Sequence, residues 1–356
     1  GEGEGEGEGE GEGEGEGEGE LCTPSYVNAV QGSFPVLDDA NPAVMVTMGA
    51  DGIWVYDLAD PFAPQQVNMI LEYVRPEGIA SPGAGVVWIA DGAGPGARIA
   101  KLQRTGFDYA PVGTTLYPTN APRYASALGV APGTVNASLT YPIVLDEGSV
   151  RVWDANYDAL VSVSADTSVV SAVRGTTFYA PSVFVATPFA AAQEAIALRN
   201  AFGTVSRVGL NATDLFAVSL GPVQDVLPLG PEAAVFDANN QRVLIAGGDG
   251  GFGAITAATP SAASGGYNLA ALNAPAISPI TAITMVPSVN PQLIIVAGTD
   301  RRIALIDATT LAVIGSIDTT IDVRRFAFRD NARALYAGST DITGPIAIID
   351  LTSCLP

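Results

Sequence analysis

The chain has 356 residues, 16 basic and 37 acidic side chains, no histidine, and a net charge of -21. Ten of the acids lie in residues 1–20, leaving 27 acidic and 16 basic groups elsewhere, with Lys101 the single lysine. Nucleic acid is excluded as a partner because phosphate neutralisation needs clustered Lys and Arg, and the lack of imidazole removes the usual general base, the commonest zinc ligand and histidine ligation of haem.

Residues 1–20 are ten Gly-Glu pairs. In an extended strand alternate side chains point to opposite faces, so this tract sets its carboxylates along one face and bare backbone on the other. It buries nothing apolar and its charges repel, so alone in water it should stay disordered: either a partner orders it, or it is a linker or stands in for a backbone with other side chains. The bare face would let another chain approach closely, as in strand addition. We read 1–20 as a low-complexity extended tail and 21–356 as one folded unit. No signal peptide is visible, which places the start after a cleaved leader or within a longer precursor.

Cys22 comes next, followed by a candidate strand, SYVNAVQG, at Ser25 to Gly32. From Ala43 onward one unit recurs: an apolar strand, a small polar or Gly-containing turn, and a second apolar strand that often ends in Asp. The first strands are AVMVTM from Ala43, VVWIAD from Val86, IVLD from Ile143, VFVA from Val183, VLIAGG from Val243, LIIVAG from Leu293 and ALYAGS from Ala334. Their partners begin at Ile53, Arg98, Val150, Ala195, Gly253, Arg302 and Ile346. Asp51-Gly52, Asp91-Gly92, Glu147-Gly148 and Asp249-Gly250 supply turns that suit positive φ. Further strands are predicted upstream at Ile280 to Pro287 and Val323 to Asp330, and downstream at Ala159 to Asp166. Four short antiparallel strands per unit of about 40 to 50 residues predict propeller blades. Seven hairpins predict seven of them.

The chain ends on a hairpin with no further strand after it. If the fold is circular, Ser25 to Gly32 completes the last sheet and brings Cys22 to Cys354, the only other cysteine. Two cysteines at opposite ends of the chain suit an oxidising compartment. Asn136-Ala-Ser138 and Asn211-Ala-Thr213 are N-glycosylation sequons in such a setting. No apolar run reaches the ~18 residues that span a bilayer.

GADGIWVYDLADP at Gly49 to Pro61 and AGTDRRIALIDATTLAVIGSID at Ala297 to Asp318 resemble the blades of secreted seven-bladed propellers with YVTN-type or LVIVD-type repeats. The likeness covers most of 21–356, strongly at both ends and poorly over 105–141 and 166–230. It implies an all-β, seven-bladed β-propeller closed by its terminal strands. It implies no one activity, since propellers host binding, structural and enzymatic roles. The richness in Ala, Gly and Pro, the preference for Arg over Lys and the Gly-x tract are also similar to surface and cell-wall glycoproteins of green algae, including flagellar surface filaments. That second likeness implies an extracellular or cell-surface location.

With both cysteines assigned to a bridge, catalysis would rest on carboxylates, Ser or Tyr. Asp38 and Asp39, and Asp146 and Glu147 beside a hairpin turn, are the carboxylates to weigh for glycosidase-type chemistry. Caps on turns that bond nearby backbone N–H groups are the better reading. Asp57, Asp154, Asp307 and Asp350 recur at equivalent strand ends, which fits blade architecture. The D-x-[DN]-x-[DN]-G calcium spacing is absent, and GGDGGFG at Gly247 to Gly253 joins two strands, so it reads as a hairpin turn rather than a phosphate loop. Trp54, Trp88 and Trp153 lie inside strands and read as packing between blades more than as sugar platforms.

No cofactor or metal is expected. Outside the tail, charged side chains are roughly half as frequent as the ~25% of soluble domains, which points to surface buried in an assembly. The leading expectation is a non-enzymatic extracellular module whose partners are other protein chains, with glycans as possible additions. The alternative is a secreted propeller hydrolase or lactonase using carboxylates at the channel mouth.

Overall fold

The computed structural model describes residues 24–38, 40, 43–73, 76–91, 98–112, 125–132, 140–146, 149–154, 159–162, 184–185, 194–199, 204–209, 219–220, 224–225, 231–237, 242–247, 252–256, 270–272, 280–289, 292–339, 341–352 and 354. Apart from one 3-10 turn at Asp330–Ala332, every described element is a strand.

After β1 (Ser25–Gln31), the first sheet runs β2 (Ser33–Asp38), β3 (Val44–Gly49), β4 (Gly52–Asp57) and β5 (Gln65–Ile70). The second is β6 (Pro76–Gly83), β7 (Val86–Asp91), β8 (Arg98–Thr105) and β9 (Asp108–Pro111). A third follows as β10 (Ala125–Pro132), β11 (Thr140–Asp146), β12 (Ser149–Asp154) and β13 (Ala159–Ser162). In the fourth, β14 (Phe184–Val185), β15 (Glu194–Arg199) and β16 (Thr204–Gly209) are joined by β17 (Ser219–Leu220) and β18 (Gln224–Asp225), both paired to β16. The fifth is β19 (Pro231–Asp237), β20 (Arg242–Gly247), β21 (Phe252–Thr256) and β22 (Ala270–Leu272). The sixth is β23 (Ile280–Val286), β24 (Leu293–Gly298), β25 (Arg302–Asp307) and β26 (Val313–Asp318). Finally β27 (Val323–Arg329), β28 (Ala334–Ser339) and β29 (Pro345–Asp350) take β1 as their outer strand, and a single parallel bridge, Ser33 to Ser339, joins this group to the first sheet.

The innermost strands neighbour one another in the order β2, β6, β10, β14, β19, β23 and β27, and β27 returns to β2. The fold is a β-propeller. Burial explains why these residues form these strands. In β3, β24 and β28 every residue is buried, because sheets cover them on both faces, and their sequences are nearly continuous apolar runs. Outer strand β5 is mostly exposed, and β26 is exposed at half of its residues. The core is a set of apolar layers between adjacent sheets, such as Val44, Val46, Ile79 and Ile89 between the first and second.

One expected hairpin is corrected. In the fourth unit VFVA supplies β14, the inner strand, so the segment at Ala195 lies in the second strand and β16 is the third. The cause is local: an inner strand of two paired residues carries too little pattern to separate it from the strand beyond it. The other six first strands fall on β3, β7, β11, β20, β24 and β28.

The expected closure is present. β1 runs antiparallel to β29, with Ser25 opposite Ile348 and Tyr26 opposite Ala347, and the register then shifts before Gln31 meets Pro345. Val30 is buried with Met45, Tyr56, Tyr336 and Ile346, so this stretch plugs the seam between the last and first sheets. Gly32 then turns the chain into β2 at φ 111°, where an added Cβ would overlap Thr47 Oγ1 and lie 2.9 Å from the Met48 carbonyl oxygen. Its N–H donates to the Gly344 carbonyl at 3.1 Å. The Tyr56 hydroxyl both accepts the Gln31 N–H and donates to the Gln31 carbonyl, each at 3.0 Å, and Thr47 Oγ1 donates to the same carbonyl at 3.1 Å. Burial raises the Tyr56 phenol above its ordinary pKa, so it stays a donor.

Candidate functional site

Asp38 ends β2 with a fully buried side chain. Its Oδ1 accepts the N–H of Ala40 at 3.1 Å, closing a local turn, and the N–H of Gly85 at 3.0 Å from the turn between β6 and β7. Its Oδ2 accepts the Tyr109 hydroxyl at 3.2 Å and lies 3.3 Å from Arg104 Nε, whose side chain is only 4% exposed. The first sheet thus supplies a carboxylate, and the second supplies three donors from its inner turn and its two outer strands. Gly85 sits at φ 77°, which lets its N–H face inward. Burial, and then the Asp38 charge, push the Tyr109 phenol well above the usual tyrosine range against the opposing pull of Arg104.

This arrangement fixes what Asp38 can do. Both oxygens are occupied by protein donors and none of its surface meets solvent, so it neither takes a proton from a ligand nor attacks one. It is a buried ionic cross-link between two sheets. The turn-capping reading therefore holds for Asp38 through Ala40, while Arg104 and Tyr109 were missed in the sequence because both lie far along the chain.

Asp39 and Glu147 fall outside the described residues, as do the side chains of Asp146, Trp153 and Asp154. At the other strand ends the carboxylates cap turns. Asp57 Oδ1 accepts the Ala59 N–H at 2.9 Å, and Asp307 Oδ1 accepts those of Thr309 and Thr310 at 2.7 and 2.8 Å. Asp350 Oδ1 accepts the N–H of Thr352 at 2.8 Å, and Asp341 Oδ1 that of Thr343 at 2.9 Å. These bonds hold the carboxyls of Asp307 and Asp341 below the usual aspartate pKa. Trp88 is buried as expected, with the Lys101 ammonium 5.7 Å from its ring centroid, and Trp54 packs half-buried at the seam between the last and first sheets. Ala246 pairs with Phe252 across the Gly247 to Gly253 segment, so it joins two strands of one hairpin. Among the described residues no group of three or more metal-ligating side chains converges, and no helix is long and apolar enough to cross a membrane.

Cys354 is not a free thiol, and its Sγ lies 2.8 Å from the Asp350 carbonyl oxygen. Cys22, Asn136 and Asn211 fall outside the described residues. Among the described residues, exposed large apolar side chains gather on or beside two outer strands: Val67 and Met69 on β5 and Leu71 just beyond it are 40, 40 and 58% exposed, and Val313 and Ile314 on β26 are 42 and 43% exposed, with Val112 and Ile342 exposed elsewhere.

No family model matches the sequence, and no curated protein matches it. Among solved structures the chain is similar to the WD40 beta propeller domain of Doa1, with a TM-score of 0.59 and 12% identity over 92% of this chain and 97% of that one. At that identity the likeness establishes the β-propeller fold alone, and 1473 solved chains match this chain; a propeller fold by itself specifies no activity.

Proposed function

We propose that this chain is a non-enzymatic, seven-bladed propeller that serves as a structural or interaction module of an extracellular, cell-surface assembly, the flagellar surface among such settings. Residues 21–356 form the propeller and residues 1–20 the connection to other protein chains. The observation that carries the reading is the apolar rim: Val67, Met69 and Leu71 line one outer strand and Val313 and Ile314 another, on a chain with few charges to solvate them. The closed circuit of inner strands supports seven blades. The saturated Asp38 weighs against the hydrolase reading, because the first carboxylate that reading would use is already spent on structure.

In this reading Cys22 and Cys354 form a disulfide beside the β1–β29 pairing, and Asn136 and Asn211 carry N-glycans. The test is sedimentation of the full chain over a wide concentration range, alone and with extract from its native surface. Wild type enters a larger particle. Deleting residues 1–20, or placing Asp at Val67, Met69 and Leu71, leaves a folded monomer. A monomer at every concentration that turns over esters or glycosides would overturn the proposal.

A further inference from the structure

Five of the inner strands begin with the same irregularity. After the first paired residue the register shifts, and pairing resumes two residues on: Pro76 then Gly78 in β6, Ala125 then Ala127 in β10, Pro231 then Ala233 in β19, Ile280 then Ala282 in β23, Val323 then Arg325 in β27. These are β-bulges at one end of the ring. The residue after the bulge is Gly or Ala four times. In β27 it is Arg325, and the bulged residue before it is Arg324.

Among the described residues neither guanidinium meets an acceptor. No hydrogen bond or ion pair from these residues reaches Arg325, and the buried Arg324 Nε has no acceptor among them. Arg325 keeps part of its surface open to solvent, yet protein surrounds it closely enough for desolvation to lower its pKa. A side chain enclosed by protein and still open to solvent lines a channel or a cleft. Its position agrees, since β27 pairs with β28 alone and lies between inner strands β23 and β2. Those neighbours bring no carboxylate to this end. In β23 the bulge residue is Thr281, whose hydroxyl donates to the carbonyls of Ala297 and Val323 at 3.2 and 2.6 Å. In β2 the single acid, Asp38, is at the far end and bound to Arg104. Arg329, further along β27, donates to the Leu58 carbonyl at 2.7 Å.

We propose that Arg324 and Arg325 form an oxyanion-binding site at the end of the central channel where the inner strands begin. Guanidinium stays protonated under all ordinary conditions, so two adjacent enclosed ones can be neutralised only by an anion, and their planar donor forks match a carboxylate or phosphate bidentately. Two sources share that chemistry: a free small oxyanion, and the glutamates of residues 1–20, from the same chain or a second copy. The site itself does not depend on the assembly reading; only its filling by the tract would.

Both sources are tested on a full-length variant in which the ten glutamates of residues 1–20 are changed to Gln, which removes internal competition. Titration calorimetry at low salt is run with inorganic phosphate and, separately, with a synthetic peptide of ten Gly-Glu pairs. At least one binds saturably at one site, and R324Q/R325Q weakens it at least tenfold. Tighter binding of the peptide identifies the tract, and binding of phosphate alone identifies a small oxyanion. If the double variant does not fold, Arg325→Lys, which keeps the charge and loses the fork, weakens binding several-fold with unchanged circular dichroism. No saturable binding of either probe, or equal affinity in the variants, overturns the proposal.

Discussion

Replacing Asp38 by Ala removes the one acceptor shared by Ala40, Gly85, Arg104 and Tyr109. It leaves the Arg104 guanidinium 4% exposed without this counter-charge, and the Tyr109 hydroxyl and the Gly85 N–H without this acceptor. Removing one member of a buried ion pair costs about 3 to 5 kcal/mol, because the remaining charge stays desolvated. Each neutral donor left unsatisfied adds roughly 1 kcal/mol or more, partly recovered where water enters the cavity. We expect a loss of about 4 kcal/mol, read as a lower urea midpoint at unchanged slope by circular dichroism. The control that separates charge from packing is the triple variant Asp38→Leu, Arg104→Met, Tyr109→Phe. It removes every member of the cluster but the backbone N–H groups of Ala40 and Gly85 and should regain most of the stability, since well-packed apolar groups often replace a buried pair without loss. A cost below about 1 kcal/mol for Asp38→Ala, against the range for broken buried pairs, would refute the cross-link. So would a triple variant no better than the single one.

Gly32→Val should cost about 3 kcal/mol, since it adds a branched side chain at φ 111° against Thr47 and the Met48 carbonyl; a thermal scan checks it, and Gly106→Ala, at φ 65° with open space around it, should cost less. The folded-state pKa values of Asp307 and Asp341 are depressed, so their contribution is full above the unfolded value near pH 4 and is lost as pH falls through the lower folded values. The stability gap between wild type and the double variant Asp307→Asn, Asp341→Asn should therefore be flat above about pH 5 and close in more acid solution; a gap that widens on acidification would show the sign to be wrong. Peptide mapping without reduction should recover Cys22 linked to Cys354, and reduction should cost at most on the order of 5 kcal/mol, the loop-closure figure for so long a loop.

Much of the fold was readable because the propeller imposes its own pattern. Second strands such as LIIVAG are covered on both faces, so an unbroken apolar run survives in the sequence. The missing last strand was equally legible: β29 ends the pattern with one edge free, and SYVNAVQG was the segment left over to fill it. Strand-end Asp residues declared themselves through position, and their bonds to N–H groups two residues on are what short polar side chains do at turns. The fourth unit was misread because β14 pairs through only two residues. The Asp38 cluster was half-read for a different reason, since Tyr109 lies 71 residues away and nothing local marks either it or Arg104 as a partner.

A repeat protein carries its own controls, and that is how Arg325 stands out. Each sheet solves the same problem of leaving its neighbour and starting a strand at the axis, and in four of the five that share the bulge the residue after it is Gly or Ala. The ring narrows toward its axis, so a small side chain at that position suits close approach, and Ala282, buried at 2%, shows the position filled in the ordinary way. The stem of Arg325 takes space the other sheets leave out, and its head is desolvated without a counter-charge from the neighbouring strands. A departure from the repeat that also costs stability calls for a compensating gain, and for an enclosed guanidinium beside a second one that gain is an anion. The contrast with Asp38 sharpens the point. Both are charged groups on inner strands, but Asp38 meets four donors while Arg325 meets no acceptor among the described residues, so the first belongs to the scaffold and the second is available to a ligand.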